Sequence, residues 1–61
     1  MIIVTAPDGH KLEINPVNIT VIEPPLPGLY PTNVKTIIRV DGETHAVQET
    51  RDQIHTMMGY K

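Results

Sequence analysis

The stretch VKTIIRVDGETHAVQ, residues 34–48, decides the fold of this 61-residue chain. Its apolar residues are mainly β-branched and alternate with polar ones on both sides of Asp41-Gly42. A two-residue Asp-Gly loop between such runs is the strongest short-range signal for a β-hairpin. The stretch therefore predicts antiparallel strands at residues 34–40 and 43–48, joined by a tight turn at Asp41 and Gly42.

A second hairpin is predicted at the start of the chain. Residues 2–6 and 10–14 have the same two-residue period and flank the sequence Pro-Asp-Gly at residues 7–9, which is typical of a turn. In the second of these strands, Leu12 and Ile14 fall on one face, as expected for a strand with one face in the core.

A third strand is predicted between the two hairpins. Asn15-Pro16 interrupts the pairing because proline has no N–H to donate. Apolar and polar residues then alternate over residues 17–23. This pattern predicts that Val17, Ile19 and Val21 share one face of the strand and that Ile22 lies on the opposite face.

The apolar period changes near residue 49. Thr50 and Gln53 have the spacing of a helix capping box, and the helical spacing of Ile54, Met57 and Met58 predicts one apolar helix face, with Gly59 at the end. We therefore predict a single small, mainly β domain (α+β) over residues 1–61. It consists of an antiparallel sheet or half-barrel of about five short strands with one short C-terminal helix.

A proline-rich loop at residues 24–33, here called the proline segment, is the candidate functional site. Four of the six prolines in the chain lie in residues 24–31, with apolar residues between them. The segment either covers the core, or is mobile, or presents a preformed apolar surface, for example in polyproline II conformation, to a partner. The candidate partner-binding residues are Pro24, Pro25, Leu26, Pro27, Leu29, Tyr30 and Pro31.

Composition disfavours several functional classes. Five Lys/Arg against seven Asp/Glu is not the basic excess of a nucleic-acid binder, and the two tyrosines, Tyr30 and Tyr60, do not form a stacking platform. No stretch reaches the roughly 20 apolar residues of a membrane span. The chain has no cysteine and no signal-peptide pattern at its start, so we expect a cytoplasmic protein.

The chain also has few residues of the types that catalyse reactions or bind metal ions. The three histidines, His10, His45 and His55, lie on different predicted elements without the i, i+4 spacing of a helical metal site. The chain has no serine or cysteine nucleophile and no glycine-rich phosphate loop. We therefore expect neither an enzyme nor a bound metal or cofactor.

The small size of the chain favours association with a partner. A chain of this length buries only about 60% of the surface that its unfolded form exposes, so it gains from an additional stabilising contact. A protein partner is one such contact. A homodimer or higher oligomer, formed by pairing of an exposed edge strand, is another.

A set of turn and core residues has a characteristic spacing along nearly the whole chain: Met1, Ile2, Thr5, Gly9, Ile14, Asn15, Pro16, Ile19, Ile22, Glu23, Gly42, Val47, Glu49 and Ile54. In these residues the chain resembles the small flagellar FlbD family, also called the swarming motility protein SwrD. The resemblance implies a β-rich fold and a non-enzymatic accessory role at the bacterial flagellar motor. Members of that family join the third and fourth strands by a short turn, whereas this chain has residues 24–35 there. Small phage proteins with the same pattern are a further alternative.

A weaker resemblance gives another class of function. The opening MIIVTAPDGHKLEI is similar to the first hairpin of the carbon storage regulator, and AVQETRDQI to the last strand and helix junction of that family. This resemblance implies an RNA-binding dimer that acts as a post-transcriptional regulator. Ala6 and Pro7 stand where arginines are typical, which disfavours RNA binding.

Overall fold

A computed structural model describes residues 1–59, and Tyr60 and Lys61 lie outside the described residues. The elements are β1 (Ile2–Thr5), β2 (Lys11–Ile14), a 3₁₀ turn (Pro16–Asn18), β3 (Ile19–Glu23), β4 (Thr36–Val40), β5 (Glu43–Val47) and α1 (Arg51–Met57). The described chain is thus mainly β, with five short strands and one short C-terminal helix, which confirms the predicted fold class.

The hairpin of β4 and β5 forms around the predicted Asp-Gly turn. Val40 lies opposite Glu43, which leaves Asp41 and Gly42 as the two loop residues. Both have positive φ, 51° and 80°, the combination that a type I′ turn requires. Aspartate tolerates the left-handed conformation and glycine adopts it without strain, so this dipeptide selects the turn.

The strands form two antiparallel sheets, β1–β2 and β3–β4–β5. Ile2 lies opposite Ile14 in the first sheet. The two sheets meet where the backbone N–H of Gln48, just beyond the end of β5, donates to the carbonyl of Thr5, the last residue of β1, at 2.9 Å. The result is an open, two-part arrangement around one core.

Both sheets and the helix contribute to that core. Its buried side chains are Ile2, Val4 and Ile14 from the first sheet, Ile38 and Val47 from the second, and Ile54 from α1. The predicted capping box is present, because Thr50 accepts from the N–H of Gln53 and the Gln53 side chain accepts from the N–H of Thr50. Met58 packs on the core with Ile54, whereas Met57, predicted on the same apolar face, is 40% exposed, so that face is only partly buried.

The prediction that Val17, Ile19 and Val21 share one face of the third strand was wrong. The Asn15 side chain accepts from the N–H of Val17 and starts the 3₁₀ turn, which removes Val17 from the strand and leaves it 85% exposed. A bulge between Ile19 and Val21 then shifts the register. Ile19 and Ile22 therefore both pack on the core, and Val21 is exposed instead.

Glu49 joins β1 to the sheet of β4 and β5. Its carboxylate accepts from the N–H and from the hydroxyl of Thr5, both at 2.8 Å, and its carbonyl accepts from the buried hydroxyl of Thr36 at 2.7 Å. Lys11 donates to the same Thr5 hydroxyl at 2.8 Å. This network, the Glu49 clamp, adds to the Gln48–Thr5 hydrogen bond in holding the two sheets together.

Candidate protein-binding segment

The proline segment folds as two successive β-turns. In the first, the N–H of Leu29 donates to the carbonyl of Leu26 at 3.3 Å. Pro27 and Gly28 are its central residues, and the φ of 80° at Gly28 gives the pattern of a type II turn. A polyproline II helix requires a negative φ at every residue. The polyproline II conformation suggested for the segment was therefore wrong at this turn.

The second turn anchors the end of the segment. The N–H of Val34 donates to the carbonyl of Pro31 at 3.1 Å, and the Val34 side chain is buried. Next to it, the Asn33 side chain donates to the carbonyl of Pro7 at 3.0 Å, in the turn between β1 and β2. Because this turn occupies residues 31–34, β4 begins at Thr36, two residues later than predicted.

The segment also covers the outer face of the second sheet. Ile37 and Ile38 are adjacent on β4 and so point to opposite faces, yet they are only 3% and 0% exposed. Ile38 lies in the core, whereas Ile37 lines a groove of about 360 Å³ with Leu26 and Tyr30. The proline segment is therefore part of the packing as well as part of the surface.

Two leucines of the segment remain largely exposed. Leu26 is 64% and Leu29 67% exposed, and Tyr30 is 36% exposed. Among the predicted prolines, Pro25 is half-buried, and Pro24, Pro27 and Pro31 are exposed. The structure thus brings the predicted residues together on one surface, on which the exposed Leu29 directly precedes Tyr30, one of the residues that line the groove.

Four residues that line this groove were not predicted from the sequence. They are Glu23, Ile37, Arg39 and Thr44. The adjacent isoleucines at 37 and 38 were the available signal, because two consecutive buried positions in a strand require cover on both faces. Arg39 Nε lies 4.0 Å from Glu23 Oε1, and both side chains are about half exposed, so the pair is a weak one at the rim.

Asp8 and His10 interact within the turn between β1 and β2. Asp8 accepts from the backbone N–H of His10 at 3.1 Å and also contacts its ring. The backbone hydrogen bond, followed by the contact with the ring, lowers the pKa of the exposed Asp8 carboxyl. Within residues 1–59, no three His, Asp or Glu side chains are grouped so that they could hold a metal ion.

The fold and the segment together define a small β-rich domain with an exposed apolar double turn. The chain matches no protein-family model, no curated protein and no solved structure. Over the described part of the chain, no helix has the length and apolar character needed to cross a membrane.

Proposed function

We propose that this chain is a non-enzymatic protein-interaction domain and that it binds a protein partner through the proline segment. The observation that supports this proposal is the exposure of Leu26 and Leu29, about two thirds each, on a segment that hydrogen bonds and a buried valine hold in place. Exposed apolar side chains on an ordered turn bind at a low entropic cost, because little further ordering accompanies association.

The charge pattern supports a protein partner over nucleic acid. Residues 24–34 contain no charged side chain. The basic residues lie on separate elements, with Lys11 on β2, Arg39 on β4 and Arg51 on α1. Nucleic-acid affinity depends on several phosphate contacts from one surface, whereas the core of a protein interface is depleted in charge.

Replacing Leu29 with serine tests the proposal. The L29S protein should lose capture of its partner from a native lysate, because a projecting apolar side chain is removed from the centre of the contact surface. The matched control is Val17→Ser, which removes an exposed apolar side chain from the 3₁₀ turn. Equal capture of the partner by the wild type and by both folded variants would show that the proline segment is not part of the interface.

A finer proposal concerns the process that the domain serves. The resemblance to the FlbD family supports an accessory role at the bacterial flagellar motor, and the absence of cysteine is compatible with a cytoplasmic location. Mass spectrometry of every protein that the domain captures, through whichever surface, tests this role. A flagellar component is the expected result, and a phage structural protein would favour the phage alternative instead.

The RNA-binding alternative has its own test. A chain with this acidic balance should pass through heparin at physiological salt and give no RNA gel shift. Retention that weakens steeply with added salt would instead favour the regulator that the weaker resemblance implies.

A further inference from the structure

We infer that the partner that fits the proline segment is a second copy of this chain, in a two-fold symmetric dimer. This inference rests on the proposed function, because it uses the same surface and names its occupant. Three features of that surface lead to it: its shape, its charges and the protection of the strand edges.

The surface carries a projection and a recess side by side. Leu29, at the end of the first turn, is 67% exposed, and its chain neighbour Tyr30 lines the groove of about 360 Å³ together with Leu26 and Ile37. In a two-fold interface each copy presents the same patch, so a projection beside a recess is self-complementary. Leu29 of each copy then enters the groove of the other.

The charges are self-complementary as well. Residues 24–34 are uncharged, so two copies with a net charge of −2 can approach along this segment without like charges in contact. The groove rim carries one acid and one base, Glu23 and Arg39, whose contact within the chain is 4.0 Å long and leaves both side chains about half exposed. A two-fold axis places Arg39 of one copy opposite Glu23 of the other, which forms two new ion pairs.

Two of the outer strands, β3 and β2, have features that disfavour edge pairing. On β3 the bulge between Ile19 and Val21 breaks the regular spacing of backbone donors and acceptors. On β2 the exposed side chain of Glu13 adds a charge near the edge. Bulges and charged residues are the common means by which natural sheets prevent edge-to-edge association. The apolar segment has no comparable protection.

Sedimentation velocity over a range of concentrations tests the dimer. The wild type should pass from monomer to dimer as its concentration rises, with a melting temperature that rises in parallel. Leu29→Ser should weaken dimerisation by roughly tenfold or more, since it removes a large apolar side chain from the contact. The control Val17→Ser should dimerise as the wild type does. If L29S does not fold, Leu29→Gln serves in its place.

Charge exchange tests the symmetry. Glu23→Arg and Arg39→Glu should each weaken the dimer, because each places like charges opposite one another across the axis. The double exchange E23R/R39E should restore it. Dimerisation that is unchanged by L29S and by both single exchanges would overturn the inference.

The failure of this inference and the failure of the proposed function are distinguishable. A wild-type monomer at all concentrations overturns the dimer. If L29S then still loses capture of a different protein while V17S retains it, the proposed function stands with another partner.

Discussion

At the scale of single residues, Glu49 illustrates how one side chain compensates for a small core. Its carboxylate accepts two hydrogen bonds from Thr5, 44 residues away in sequence, and both groups are partly buried. Hydrogen bonds to an ionised group are stronger than neutral ones, and a buried donor that loses its partner is costly. In this chain both positions therefore have a structural role.

We expect Glu49→Ala to lower the free energy of unfolding by about 1–3 kcal/mol, because it leaves the backbone N–H and the hydroxyl of Thr5 without their acceptor. Urea denaturation monitored by circular dichroism measures this change. Glu13→Ala, at an exposed position on β2, is the control and should change stability by less than about 0.5 kcal/mol. A similar loss in both variants would show that the Glu49 clamp does not stabilise the fold.

Gly28 determines the shape of the proline segment without contributing a side chain to its surface. A Cβ placed there meets no atom within 4 Å, so the cost of Gly28→Ala comes from its φ of 80° alone, about 1–2 kcal/mol. We expect G28A to weaken binding through the segment although every contacting side chain is retained. Gly28→Asn should weaken it less, because asparagine tolerates positive φ.

Comparing the two variants in the sedimentation and capture assays, with circular dichroism as a check on folding, measures this effect. If G28A binds as tightly as the wild type, the turn is not what orients Leu29.

At the scale of elements, the sequence was sufficient wherever local chemistry determines the structure. The Asp41-Gly42 turn and the Thr50–Gln53 cap each depend on residues a few positions apart, and both formed as predicted. The register of β3 was not predictable, because the bulge depends on how Ile19 and Ile22 fit a core formed mostly by distant residues. Most of the groove was missed for the same reason, since Arg39 and Tyr30 come to line one groove only after the strands have paired.

The cover that the proline segment gives to the second sheet can be measured at Ile37. We expect Ile37→Ala to cost about 2 kcal/mol or more, as for a buried isoleucine, although its neighbour Ile38 already occupies the core side of β4. Val21→Ala is the control on the exposed side of β3 and should cost less than about 1 kcal/mol. Chemical denaturation of both variants gives the comparison. Equal, small losses would mean that the segment lies loosely over the sheet in solution.

At the scale of the whole molecule, the two sheets and the helix depend on one another. The first sheet has only two strands, and an isolated pair of strands is marginally stable in water. The helix has seven residues, too few to persist alone. Each element is therefore stable only in contact with the others, through the shared core and the Glu49 clamp.

This dependence predicts a single cooperative transition in which β1 does not unfold before the rest. Val4→Ala should lower the stability of the whole chain by about 2 kcal/mol, because Val4 is fully buried where the first sheet meets the second sheet and the helix. Ile3→Ala, one residue earlier on the same strand, changes a side chain that is 54% exposed and should cost much less. Tyrosine fluorescence and far-ultraviolet circular dichroism should give coincident curves for both variants. Separate transitions, or loss of amide protection in β1 alone, would mean that the first hairpin is an appendage to a domain that begins at β3.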